Sequence, residues 1–129
     1  MKQAVLAALF MAAGFGQAYA QDAAAGEKVF VVCKACHQVG DRAKNAVGPV
    51  LNGLFGRKAG SVEGYVYSDA NKNSGITWDE ATFSTYIKDP KAKIPGTKMV
   101  FPGIKDEQRI KDLIAYLHTF DKATVKLAQ

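Results

Sequence analysis

Val32-Cys33-Lys34-Ala35-Cys36-His37 is the stretch that decides how this chain folds. Two cysteines are separated by two residues, and a histidine follows the second. This C-x-x-C-H spacing is that of c-type haem attachment. Each thiol can add across a porphyrin vinyl group to form a thioether. The histidine is then pinned beneath the ring with a nitrogen toward the iron. Cys33 and Cys36 are the only cysteines, so attachment uses both. A thioredoxin-like redox pair needs a preceding buried strand in a βαβ context, which the sequence lacks. A zinc site needs four ligands, and Cys33, Cys36, His37 and the distant His118 have no usual finger spacing.

The start of the chain reads as an export signal. Met1-Lys2 is a short basic start, Ala4 to Ala13 an apolar run, and Ala18-Tyr19-Ala20 a small-x-small cleavage site. The apolar run is too short to span a bilayer. Residues 1–20 are therefore expected to be removed, and 21–129 to form one domain. Removing 20 of the 129 residues leaves 109 and makes Gln21 the first residue. An N-terminal glutamine can cyclise to pyrrolidone carboxylic acid. The expected compartment is the periplasm, where haem is attached to such motifs. Lys2 is the one charged residue removed, so 17 basic residues become 16 against 12 acids, net +4. That modest balance points to acidic protein partners and not to nucleic acid. So small a chain buries a limited core. A rigid apolar cofactor would supply much of what its side chains pack on.

Taken in order, Asp22 to Cys33 reads as a helix with Asp22 as N-cap. Gly26 inside it costs about 1 kcal/mol. A close crossing by another helix would explain it, and so would an unremarkable glycine near a frayed helix start. Gln38 to Gly64 is glycine-rich and reads as loops whose Val47, Leu51, Leu54 and Phe55 would bury against a cofactor. Ser68 to Ser74 reads as a short helical turn ending at Gly75. Thr77 and Glu80 have the spacing of a capping box for a helix that carries Phe83, Tyr86 and Ile87. That helix ends by Asp89, because Pro90 follows. Pro90 to Gly103 reads as an ordered loop. Asp106 to Phe120 is the strongest helix, with Ile110, Leu113, Ile114 and Leu117 in one stripe. Beyond Asp121 the chain reads as a polar tail. No alternating strand pattern occurs, so the class is all-α.

Once the leader is removed, Met99 is the single methionine. It lies in Ile94-Pro95-Gly96-Thr97-Lys98-Met99, a proline-bounded loop suited to presenting an axial ligand. His118 is the rival, on the terminal helix near the apolar stripe, where it reads as a surface or boundary residue.

At this point the chain resembles the class I cytochromes c, and among them the bacterial cytochromes c2. The matching segments are C-K-A-C-H at 33–37, G-P-V-L-N-G-L-F-G-R-K at 48–58 and Y-S-D-A-N-K-N-S-G-I-T-W at 67–78. Y-I-K-D-P-K-A-K-I-P-G-T-K-M at 86–99 and D-L-I-A-Y-L at 112–117 complete them. The resemblance implies three main helices with short turns and loops wrapped around one covalent haem. It implies His37 and Met99 as axial ligands, and Cys33 and Cys36 as thioethers. The Pro49 carbonyl would orient His37. Tyr86 and Thr97 would lie on the Met99 side with Asn71 beside Tyr86. Tyr67, Trp78 and Arg57 would lie near the propionates, and Phe101 over the haem edge. Gly26, Phe30 and Tyr116 would form a helix crossing. Mitochondrial relatives usually carry a lysine before the first cysteine, where Val32 stands here. Their segment leading to that cysteine is one residue longer. Ala46 and Asn52 replace positions often basic in them, which would thin the basic ring on one side.

Two axial side chains leave iron no open position for oxygen chemistry. The implied role is that of a one-electron carrier and not an enzyme. Lys88, Lys91, Lys93 and Lys98 surround the Met99 loop with Asp89 the only acid among them, and would dock acidic partners. The implied donor is a cytochrome bc1 complex, and the acceptor a photosynthetic reaction centre or a terminal oxidase. With no anchor or long linker in the sequence, the expected form is a free monomeric shuttle. Cytochrome c′-type haem proteins put C-x-x-C-H near the end of a four-helix bundle, unlike the order here.

Overall fold

A computed structural model describes residues 21–128. The expected leader, 1–20, lies outside them. Five helices follow in order: α1 Ala23–Phe30, α2 Asp69–Lys72, α3 Glu80–Lys88, α4 Pro90–Lys93 and α5 Glu107–His118. Two isolated bridges are the only β pairing among the described residues.

Asp22 caps α1 by accepting from the Ala24 and Ala25 amides at 2.9 and 3.1 Å. The helix stops earlier than its apolar spacing predicts. Val31–Cys33 tightens into a 3₁₀ turn, and the His37 amide then bonds Cys33 O at 2.9 Å. This tighter turn folds the C-x-x-C-H segment back on itself. In α5, Asp106 accepts from the Arg109 amide at 2.8 Å. Ile110, Leu113, Ile114 and Leu117 are each 2 % exposed or less. Burial of such a side chain contributes about 1.5–3 kcal/mol.

α1 and α5 cross at Gly26. A Cβ there would lie 1.9 Å from Asp112 O, so only hydrogen fits. Phe30 and Tyr116 close the crossing with ring centroids 5.3 Å apart. The N-terminal end is tied to it: the Asp22 amide donates to Asp112 Oδ1 at 3.0 Å.

Two local expectations are corrected. Thr77 and Glu80 do not form a capping box. Asp79 caps α3 by accepting from the Thr82 amide at 2.7 Å, so Glu80 falls at the first helical position. The reason is tertiary. Residues 76–78 are drawn out straight against 56–59, with Thr77 bridged to Lys58 and the Trp78 amide on Arg57 O at 2.9 Å. The second correction is α4. Pro90 ends α3 yet starts a new turn, because a proline is suited to a first helical position. Asp89 serves both helices and accepts from the Ala92 amide at 3.2 Å.

Candidate functional site

The long glycine-rich connections and the inner faces of α3 and α5 leave one large cavity of about 500 Å³. Its floor is apolar, from Phe30, Leu54, Phe83, Ile87, Leu113 and Leu117. Cys33, Cys36, His37, Pro49, Arg57, Tyr67, Asn71, Trp78, Tyr86, Thr97, Met99 and Phe101 all line it. Every cofactor-binding and axial residue expected from the sequence therefore borders one space. Lys98 does so as well, whereas Lys88, Lys91, Lys93 and Gln21 do not.

His37 follows directly from its turn. Its Nδ1 lies 2.8 Å from Pro49 O, which fixes the ring and leaves Nε2 free. Gly48 packs flat on the imidazole; a Cβ there would come 2.4 Å from His37 Cε1. Burial holds the imidazole below its ordinary value, the Pro49 bond opposes this, and the Arg57 charge adds to it. The ring is thus neutral at neutral pH, the form that binds metals. Burial, helped by Cys36, pushes the Cys33 thiol up to about 11. That is the reverse of an activated redox cysteine.

Met99 is half-buried, and the Tyr86 hydroxyl donates to its sulfur at 2.9 Å. Burial pushes that phenol up to about 12, with Thr97 opposing. Trp78 meets Tyr86 edge to face at 4.9 Å.

Arg57 is 6 % exposed. It donates to Asn52 O at 2.7 Å and Val50 O at 2.9 Å. No carboxylate among the described residues pairs with it. Burial lowers its hold on the proton, while the Tyr67 phenol raises it. A buried guanidinium without an acid is costly, so this site suits an anionic group. Asn71 Oδ1, buried at the same cavity, has no partner among the described residues. The Tyr67 hydroxyl accepts from the Val62 amide at 3.0 Å and keeps its own proton available. An apolar slot with paired thiols, a neutral oriented imidazole and an uncompensated cation fits covalent haem with its propionates.

The profile of the family described as cytochrome c matches residues 23–121. This chain belongs to the cytochrome c family. Such cytochromes bind haem c covalently and carry electrons instead of catalysing turnover, and Cys33 and Cys36 stand where attachment requires. This cytochrome is 61% identical to cytochrome c2 of Blastochloris viridis over 94% of this chain and 95% of the relative. It is 66% identical to cytochrome c-550 of Bradyrhizobium diazoefficiens over 78% of this chain and 74% of that one. The solved structure of cytochrome cH from Methylobacterium extorquens superposes with a TM-score of 0.70 at 57% identity. That match covers 76% of this cytochrome and 98% of the other chain.

Some expectations change in three dimensions, while His118, expected as a surface or boundary residue, does not line the cavity. It stacks on Phe55 at 4.3 Å, with Nε2 2.7 Å from Glu80 and Nδ1 2.7 Å from Asp121. Phe55 is thereby drawn to the α3–α5 junction, meeting Phe83 at 5.7 Å, and does not line the cavity. Val47 borders the cavity but is 72 % exposed. Asn52 thins no surface ring: it is 1 % exposed. Its amide bonds Gly40 N, Gly40 O and Thr124 O at 2.8, 2.9 and 3.0 Å. Asp89 is not the only acid near the lysines, since Glu107 pairs with Lys88. Lys98 donates to Val66 O and sits 4.6 Å over the Tyr65 ring.

Sequence reasoning missed Asn52 as a structural hub and Tyr65 as a rim residue. Tyr65 donates to Val47 O at 2.7 Å and meets Tyr67 at 4.8 Å. An asparagine amid apolar and glycine residues at 50–54 was the available signal for the hub.

Proposed function

We propose that this cytochrome is a periplasmic shuttle for single electrons, with His37 Nε2 and Met99 sulfur as the axial ligands of its haem. The observation that carries the reading is a pair of bonds at one cavity: His37 Nδ1 to Pro49 O at 2.8 Å and Tyr86 Oη to Met99 sulfur at 2.9 Å. Haem c supplies the reversible Fe(III)/Fe(II) couple. The chain's own residues do the rest. Pro49 fixes the imidazole and raises its basicity as a ligand. Tyr86 orients the sulfur and draws density from it. Arg57, Tyr67 and Trp78 offset the propionates, and Asn71 stands beside Tyr86 on the Met99 side. The apolar floor excludes water and so disfavours the extra charge of ferric iron, which raises the potential.

Exit of the electron is proposed at the rim formed by Val32, Val47, Val100 and Phe101. Lys91, Lys93 and Lys98 would steer acidic partners there; Lys88 contributes less, because Glu107 offsets it. A cytochrome bc1 complex is the proposed donor, and a photosynthetic reaction centre or a terminal oxidase the acceptor. The likeness to a cytochrome c2 supports these partners. A monomer that binds no nucleic acid suits the role. Among the described residues no helix is long and apolar enough to cross a membrane. Removal of 1–20 and cyclisation of Gln21 complete the proposal; Gln21 is exposed.

The optical spectrum of the ferric protein tests the ligation. A weak long-wavelength band from sulfur on iron is expected, and it disappears in Met99→Ala. Its absence from the wild type, or ready carbon monoxide binding by the native reduced protein at neutral pH, overturns the reading.

A further inference from the structure

The segment after α5 is strapped across the loop that carries Tyr67. Phe120 O accepts from the Gly53 amide at 3.0 Å, and Thr124 O from Asn52 Nδ2 at 3.0 Å. Lys126 O accepts from the Glu63 amide at 2.9 Å, and the Ala128 amide donates to Ser61 O at 2.7 Å. Val62 and Leu127 form an antiparallel bridge between these last two bonds. Residues 122–128 lie beyond the 23–121 stretch matched by the family profile. They are fastened nonetheless, by side-chain and backbone bonds spread along their length.

The bonds have a direction. In extended pairing, successive backbone amides point to opposite sides. The strap holds the backbone at Ser61 and Glu63, so the Val62 amide faces the other way. It donates to Tyr67 Oη at 3.0 Å. Asn45 steadies the same place, donating to Glu63 O at 3.0 Å. A phenol has one proton and two acceptor sites. With the Val62 amide on an acceptor site, the Tyr67 proton remains for whatever fills the cavity.

We propose that the C-terminal strap, residues 122–128, is a positioning element for the haem site, aiming the Tyr67 hydroxyl through the backbone amide of Val62. The inference rests on the reading above in one respect: Tyr67 is taken to donate to an anionic haem side chain. Such a bond offsets negative charge that would otherwise favour ferric iron. Without the strap the 61–67 loop loses its outer support, the hydroxyl loses its aim, and the midpoint potential falls.

The test compares the full-length holoprotein with one ending at Asp121, each with Tyr67 and with Tyr67→Phe. Truncation is expected to speed Val62 amide exchange by roughly tenfold or more, the scale of losing one or two net backbone hydrogen bonds. The potential is expected to fall in the Tyr67 background and to stay put in the Tyr67→Phe background. An unchanged potential, or an equal fall in both backgrounds, overturns the proposal. If the truncated chain does not mature, Ala128→Pro removes the one amide that bonds Ser61 O and carries the same readouts. The sulfur band separates the two readings. It survives truncation if the strap acts as stated. Its absence from the full chain sinks the ligation while leaving the amide-exchange outcome to judge the strap.

Discussion

The Tyr86 hydroxyl donates its proton to the sulfur of Met99 across 2.9 Å. The two residues sit on α3 and on the proline-bounded loop that follows α4. This one bond joins a rigid element to the loop that carries the sulfur. Under the proposed ligation, it also holds electron density that the sulfur would otherwise give to iron.

Tyr86→Phe therefore lowers the midpoint potential. A net neutral hydrogen bond contributes about 1 kcal/mol. At 59 mV per tenfold for one electron, the fall is about 40 mV at most. Spectroelectrochemical titration of the two proteins measures it; a rise would show that the bond favours ferric iron.

Docking through the Met99-loop lysines predicts second-order rates with redox partners that drop as salt rises. Exposed charges are screened over about 10 Å at 0.1 M. At low ionic strength, Lys93→Glu lowers the rate several-fold. Lys88→Glu lowers it less, because Glu107 already offsets that cation. Stopped-flow rates that ignore ionic strength would remove the docking surface and leave the ligation intact.

Gly26→Ala puts a methyl where Asp112 O stands, 1.9 Å from the new Cβ. The crossing of α1 and α5 must open. A loss of about 1–3 kcal/mol is expected from such overpacking, and more if the Asp22–Asp112 bond breaks with it. Guanidinium unfolding followed by circular dichroism reads the loss.

His118 offers both ring nitrogens to carboxylates, Glu80 and Asp121, each at 2.7 Å. Only imidazolium can donate to both. Burial works against the charge, but the bonds and charges of Asp121 and Glu80 prevail and raise the group above its ordinary 6.5. A raised histidine stabilises the fold fully below 6.5, and the gain is lost as pH rises through the folded-state value. The effect is about 1 kcal/mol or less, because the cluster is partly exposed and screened. Melting temperatures across this window should converge for the wild type and His118→Gln at high pH, and separate at low pH.

Much of the site was legible from the chain. Cys33, Cys36 and His37 carry a spacing that their chemistry imposes, and the α5 stripe carries one that helix geometry imposes. Arg57, Asn71 and Tyr67 came through the family likeness, since no local pattern marks a polar residue that will line a cofactor cavity. Asn52 escaped notice because its bond to Thr124 O spans 72 positions. The Thr77 capping box failed because strand-like pairing with 56–59 overrode a good local signal. The tail after Asp121 read only as polar, since backbone bonds to 61–63 leave no mark on side-chain pattern.

By itself the sequence determined the attachment chemistry, the helical class and the buried stripe of α5. Those follow from covalent spacing and hydrophobic periodicity, both local properties. Only the tertiary structure decided which polar groups end up without partners at the cavity, which face of Val62 the strap leaves for Tyr67, and that His118 is held away from the cavity by Glu80, Asp121 and Phe55. Those depend on hydrogen bonds and ring contacts between distant segments, and such contacts exist only once the chain has closed on itself.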